Sequence, residues 1–398
     1  MGEVRAQDKV DATTTTQRLW VERLTLTNFR NYTSATFTFG PTPVVLAGAN
    51  GAGKTNLIEA VSLLSAGQGL RRAAYPELGR NNGPGGWSVA ARMHTPTGPL
   101  DIGTGLQPGA PDATRTGRIV RVDGETKGGS GILADLVEMV WLTPAMDGLF
   151  AGPASERRRF LDRLILCFDP SYRTRIGHFE RAMQNRNRLL ADGVTDRFQL
   201  EGFERAMVET GVAIAAARLE AVGQLASTID QRRTRAPGSP FPWATLALEG
   251  TLETELAHRP AVDVEEIFAT RLAASRERDR VAGRTLEGPH RSDLAVGHGP
   301  KAMQSRLCST GEQKALLVGL VLAHAELACQ RRDGSSPILL LDEIAAHLDP
   351  ARRAALYGEI LRLGLQAWMT GTDLEPFAPL TGRAQFFRVE DAHLIPIS

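Results

Sequence analysis

Residues 44–64 read VVLAGANGAGKTNLIEAVSLL, and this stretch decides the fold. Val44 to Ala47 is a short unbroken apolar run, which suits a buried strand of an α/β sheet. Gly48-Ala49-Asn50-Gly51-Ala52-Gly53-Lys54-Thr55 then fills G-x-x-x-x-G-K-[ST] at every position. Leu57, Ile58, Val61 and Leu64 follow on one helical face. Glycines let the backbone curl so that successive N–H groups aim at phosphate oxygens, and the positive end of the following helix adds to that field. The expected ATP contacts are Asn50, Gly51, Ala52, Gly53, Lys54, Thr55 and Asn56. Lys54 neutralises charge on the β- and γ-phosphates, and the Thr55 hydroxyl ligates Mg²⁺.

A second element supports the first. Ile338-Leu339-Leu340-Leu341-Asp342-Glu343 is an apolar strand ending in two acids, a Walker B segment. Asp342 is expected to hold Mg²⁺ and Glu343 to orient or deprotonate the attacking water. Ser309-Thr310-Gly311-Glu312 opens another helix as a capping box, which by itself marks only a helix start. It also lies about 30 residues before Asp342, where ABC-type ATPases carry the signature that binds, in trans, the nucleotide of a second subunit. Asp349 stands where such ATPases have a D-loop. Thr370 stands where many carry a switch histidine. Arg30, in Asn28-Phe29-Arg30-Asn31-Tyr32, is either a further ATP contact or part of a surface turn.

The composition of the 398 residues is ordinary for a globular chain: 42% hydrophobic, 23% charged, formal net charge +1. Near-neutrality argues against coating nucleic acid by bulk charge but leaves room for a local basic patch. Cys167, Cys308 and Cys329 are widely spaced and unpaired in pattern, which fits a reducing, cytoplasmic compartment and no disulfide or zinc framework. No unbroken apolar run long enough for a membrane span stands out, so no membrane partner is expected. Residues 1–17 lack an apolar leader core and read as a flexible tail.

The expected organisation is an α/β domain from 18–150 and 283–398, interrupted by a helical arm from 151–282. Leu24, Leu26 and Phe29 alternate with Thr25 and Thr27 as in a strand, and residues 79–130 are rich in turns. Helical spacing dominates from about Ser155. Residues 151–190 hold nine Arg against four Asp and Glu, a basic stretch that is either a solvated helix face or a DNA-binding one. Arg157, Arg158, Arg186 and Arg188 are the expected DNA contacts. The alternative for Arg157 and Arg158 is a brace within a helix whose Phe160, Leu161 and Leu164 face the core.

Taken together, LTLTNFRNY (24–32), GANGAGKTNLIEAV (48–61), RRRFLD (157–162), QNRNRLL (184–190), GPHRSDL (288–294), STGEQKALLVGL (309–320) and LLLDEIAAHLD (339–349) resemble the RecF family. The resemblance covers most of the chain, from about Leu19 to Phe377. It implies an ABC-type ATPase head like that of SMC proteins, with a mixed sheet around the P-loop and a much-shortened arm. It implies ATP and Mg²⁺ as cofactors, an ATP-dependent homodimer, and slow hydrolysis stimulated by DNA. It further implies binding to dsDNA and ssDNA–dsDNA junctions, and partnership with RecR and RecO in loading RecA onto SSB-coated ssDNA. Glu312 departs from the glutamine that many members carry, and Val140 to Pro144 lacks the glutamine of a Q-loop. The competing readings are the ATPase of another SMC-like assembly, a transporter nucleotide-binding subunit, or a DNA scaffold with an idle nucleotide site. The Arg-rich insertion and the threonine at the switch position weigh against a transporter subunit.

Overall fold

Alternating β-branched and apolar residues build the first sheet. Val21, Leu24 and Leu26 of the opening strand are buried, while Arg23 and Thr27 face away. A computed structural model describes residues 18–109, 117–193, 196–331 and 336–397. The proposed tail, 1–17, lies outside the described residues. In chain order the elements are β1 (Trp20–Phe29), β2 (Tyr32–Thr38), β3 (Val44–Ala47), α1 (Lys54–Ser62), β4 (Trp87–Thr95), β5 (Gly98–Leu106), β6 (Ile119–Val122), β7 (Glu125–Lys127), α2 (Leu133–Leu136) and β8 (Met139–Leu142). There follow α3 (Ala154–Leu166), α4 (Tyr172–Ala191), α5 (Arg197–Arg235), β9 (Ala244–Glu249), α6 (Thr251–Leu256), α7 (Ala261–Ala274) and α8 (Arg276–Ala282). The chain closes with β10 (Asp293–His298), β11 (Met303–Gln304), α9 (Thr310–Arg331), β12 (Ile338–Leu341), α10 (Pro350–Arg362), β13 (Ala367–Gly371), β14 (Gln385–Glu390) and β15 (His393–Ile397).

The chain divides into two compact units. The first runs up to Trp141 and adds Ala328–Ala346 and everything from Leu356. It holds an antiparallel sheet in the order β2-β1-β4-β5-β6-β7 and a mixed sheet in the order β15-β14-β3-β13-β12-β8. Strands β3, β12 and β13 are buried on every residue and, Thr370 apart, apolar, as parallel strands covered on both faces must be. Gln366 ties the two sheets together. Its side-chain amide accepts from the Val21 backbone N–H at 2.9 Å and donates to the carbonyls of Val21 and Gly40. Phe39 packs edge-on against Trp368, ring centroids 4.5 Å apart.

The second unit takes Leu142–Leu327 and His347–Ala355. It therefore extends beyond the expected arm on both sides, and it is not purely helical. β9, inside the expected insertion, pairs with β10, outside it, from Asp293↔Glu249 to His298↔Ala244. Hydrogen bonding between these strands is what draws residues after 283 into the second unit. Most of α9 joins them. α5, 39 residues long, is apolar and long enough to cross a membrane by length and composition alone, a weak sign shared with core helices. Here Met207, Val212, Ile214, Ala215, Leu225 and Ile229 are buried within the unit, where α5 packs against α4 and α7.

Ionic networks run through this unit. Arg186 of α4 has no exposed side-chain surface and meets Glu204 at 3.0 Å and Asp279 at 2.8 Å. Arg218 of α5 binds Asp162 and the Pro289 carbonyl. Buried pairs of this kind stabilise less than apolar packing of the same volume, but they tolerate only one geometry, because removing one partner strands a charge.

His324 of α9 is fully buried and bonded through Nε2 to the Leu164 carbonyl at 3.0 Å. Burial pushes its pKa down from 6.5 to about 4. Below about pH 6.5 the unfolded chain therefore binds a proton that the folded chain refuses, and stability falls as pH drops toward 4. A His324→Gln chain is expected to lose less: its urea midpoint should fall less steeply between pH 7 and 5, the wild-type slope exceeding it by up to ~1.4 kcal/mol per pH unit. Parallel curves for the two chains would show that His324 does not carry the acid sensitivity.

Candidate functional site: a phosphate cradle on three strands

The cradle forms where β3 ends. Gly48 has φ 155°, and a Cβ there would lie 2.4 Å from the Val389 carbonyl oxygen. Gly53 has φ 112°, and its Cβ would lie 2.6 Å from Asn31 Nδ2 and 2.8 Å from the Tyr32 hydroxyl. Both positions thus require glycine for conformation and for space. α1 starts at Lys54, and no described side chain caps it. Its first-turn N–H groups have no partner within the helix, which leaves a positive end open to an anion. Lys54 is buried, and its Nζ donates to the carbonyls of Gly48 at 2.6 Å and Ala49 at 2.9 Å. Burial lowers its pKa, while Glu343 and Asp342 oppose that shift.

Sheet order brings the second half of the site together. β13 lies between β3 and β12, with Thr370 beside Leu46 and Met369 beside Leu341. Thr370, at 0% exposure, therefore sits between the phosphate loop and the acids. Its Oγ donates to Asp342 Oδ1 at 2.8 Å and accepts from the Glu343 backbone N–H at 2.8 Å. Thr55 Oγ donates to the same Asp342 oxygen at 3.0 Å. Glu343 adopts φ 53°, unusual for a residue with a Cβ, and the Thr370 bond holds its backbone there. Thr55 Oγ and Asp342 Oδ1 are hard oxygen donors set side by side, as Mg²⁺ requires. Among the described residues no cluster of three or more His, Cys, Asp and Glu could hold a metal alone, so such an ion would keep water or phosphate ligands.

The turn after β1 forms one wall. Asn31 Nδ2 donates to the Ala52 carbonyl at 3.3 Å, and Tyr32 donates to the Gly53 carbonyl at 3.2 Å. Asn56 donates to Asn31 Oδ1 at 2.8 Å. Asn31 and Tyr32 were missing from the expected site; each reaches the loop through a non-local contact that no local pattern encodes. Arg30 shares the turn, but its guanidinium is held by both Glu59 oxygens at 2.8 Å and by the Glu77 carbonyl. This bidentate pair and the Glu77 carbonyl occupy three of the five guanidinium N–H donors.

The remaining residues lie in the second unit. Ser309 and Glu312 form the expected capping box, with Ser309 N–H to Glu312 Oε2 at 3.0 Å and Glu312 N–H to Ser309 Oγ at 3.4 Å. Thr310 and Gly311 are exposed on the same helix start. Asp349 caps α10 by accepting from the Arg352 backbone N–H at 2.9 Å, ahead of Pro350.

Of the four expected DNA contacts, Arg186 is corrected by its burial, while Arg157 and Arg158 are part-exposed and carry internal bonds. Arg186 is fully buried and saturated by Glu204, Asp279, Thr285 and the Leu272 carbonyl. Arg157 spends its guanidinium on Asp293, at 2.8 and 2.7 Å, and on the carbonyls of Phe150 and Gly152. Arg158 donates to the Ser292 carbonyl at 2.6 Å. RRRFLD and GPHRSDL are thus two halves of one brace within the unit, the alternative open for Arg157 and Arg158. Arg188 alone of the four is exposed.

Comparison with known proteins places this geometry. A family model described as an AAA domain matches residues 23–90. The DNA replication and repair protein RecF of Mesorhizobium japonicum is 54% identical over 377 residues, 94% of this chain and 97% of the relative. Its counterpart in Brucella suis is 51% identical over 381 residues, covering 96% and 97%. Among solved structures, RecF with ATPrS, described as the recombination mediator of the RecFOR pathway, matches with TM-score 0.83 at 22% identity, covering 96% of this chain and 99% of that one. The Smc head domain of Pyrococcus furiosus with an extended coiled coil matches with TM-score 0.53 at 17% identity, covering 96% of each. At such identities the structures speak to the fold alone.

Two substitutions test the site. Thr370→Val should leave ATP affinity nearly unchanged and lower turnover by about 10²-fold, through a displaced Glu343, while Thr370→Ser should retain most of it. Equal turnover in Val and wild-type chains would remove Thr370 from the site. Arg186→Ala should destabilise by about 3–5 kcal/mol in urea unfolding, because Glu204 and Asp279 stay buried with a cation lost.

Proposed function

The chain belongs to the RecF family, and from that premise we propose that it is a DNA-repair ATPase whose nucleotide-gated dimerisation controls its hold on DNA. One observation carries the catalytic half of this reading: Thr55 and Thr370 both donate to Asp342, and Thr370 also accepts from the Glu343 backbone N–H, beside an uncapped helix start. ATP fits the cradle through the loop N–H groups and Lys54. Mg²⁺ fits Thr55 and Asp342, and when bound it supplies charge neutralisation on the β- and γ-phosphates. Glu343 orients and deprotonates the attacking water, and Thr370 keeps its backbone in place. Arg30, Asn50, Gly51, Ala52, Gly53 and Asn56 complete the proposed ATP contacts.

In this reading hydrolysis is slow and stimulated by DNA. Ser309, Thr310, Gly311 and Glu312 of one copy close over the γ-phosphate held by another, with Asp349 near the joint. The dimer binds dsDNA and ssDNA–dsDNA junctions in the cytoplasm, with no membrane partner, and works with RecO and RecR to load RecA on SSB-coated ssDNA. Recombinational and replication-gap repair is the proposed setting; the relatives' names support DNA replication and repair. Arg188, which is exposed, and the part-exposed Arg157 and Arg158 stay in the proposal as DNA contacts.

The mass of a Glu343→Gln chain in solution tests this. Blocking the water-activating carboxylate should trap the ATP state. A monomer alone should become a dimer with ATP and Mg²⁺, only while Ser309 is intact, and the dimer should bind a short duplex more tightly. A monomer under every condition would leave an ATP-binding chain without the trans mechanism.

A further inference from the structure

Glu312 raises an electrostatic problem. An open helix start is an anion site, and a carboxylate on its lip repels a phosphate. The capping box holds that carboxylate in place, since one Glu312 oxygen accepts from the Ser309 N–H at 3.0 Å. Its other oxygen is taken by Lys301 Nζ, from the turn that follows β10. Lys301 and the capping bonds hold the Glu312 carboxyl well below the usual carboxylate range, so it stays ionised and needs a counter-charge at any working pH.

Gly311 is the second, separate observation. It sits in the first turn of a 22-residue helix. A Cβ built there meets nothing within 4 Å, so the backbone at this position is open to a body outside the chain. Leu307, shortly before the helix, leaves 65% of its surface exposed.

We propose that Lys301 is a positioning residue of the signature: by neutralising Glu312 it lets the bare backbone at Gly311 receive the terminal phosphate of a nucleotide carried by a second copy of this chain. The proposal rests on the dimerisation reading above. Glu312 fixes the helix start and Lys301 cancels the charge that this fixing introduces. The two side chains therefore act as a unit, and the need for Lys301 exists only while residue 312 is an acid.

The test is the ATP concentration for half-dimerisation in the Glu343→Gln background, read by mass in solution with Mg²⁺. Lys301→Ala should raise it by about tenfold, and Lys301→Glu by more. Lys301→Arg should restore it. With Glu312→Gln also present, Lys301→Ala should cost less than about threefold, the non-additivity expected of a coupled pair. Thermal unfolding of each variant separates this from a general loss of structure. Wild-type dimerisation by Lys301→Ala, or an equal cost with Gln or Glu at 312, would overturn the proposal. A parent chain that never dimerises with ATP would instead remove the reading on which it stands.

Discussion

The arrangement in the first unit depends on one carboxylate. Asp342 Oδ1 accepts from Thr55 and from Thr370, hydroxyls that come from the loop after β3 and from the end of β13. Those two strands and β12 are neighbours in one sheet, so three chain segments far apart in sequence end within hydrogen-bond reach. A buried anion needs such donors, and here each donor also has a second task. Thr55 lies in the first turn of the cradle helix, and Thr370 fixes the unusual backbone of Glu343. The cradle helix and the Glu343 backbone therefore share a junction.

The second unit meets a different constraint. Its helices carry many arginines, and burying an unpaired guanidinium is prohibitive. Each buried one is matched: Arg186 by Glu204 and Asp279, Arg218 by Asp162, Arg157 by Asp293. The matches cross from α3, α4 and α5 to α8 and to the segment 288–293. A basic run in sequence has thus become an internal lattice. Its geometric demands account for motifs such as RRRFLD and GPHRSDL without any ligand.

Near-neutral composition is consistent with this outcome, since most of the arginines in question have acid partners inside the fold. What distinguishes Arg188 from Arg186 is only two positions along α4, enough to turn one side chain outward and the other wholly inward. Charge counts over a window average across that difference.

The P-loop, the Walker B strand and the capping box were legible in sequence because each is a local device: a few adjacent residues carry both the backbone conformation and the chemistry. The end of α10 is a local device of the same kind: Gly364 takes φ 65° just after it. Tertiary structure alone decided the rest. It set the pairing of β9 with β10, which moved the boundary of the second unit, and the hold of Glu59 on Arg30. It brought Asn31 and Tyr32 to the loop, it buried Arg186, and it bonded Arg157 and Arg158 to the segment around Asp293. These are contacts between residues tens to hundreds of positions apart. No periodicity or motif in one segment records which distant side chain will neutralise it, and that choice settles whether a charge supports the fold or faces a ligand.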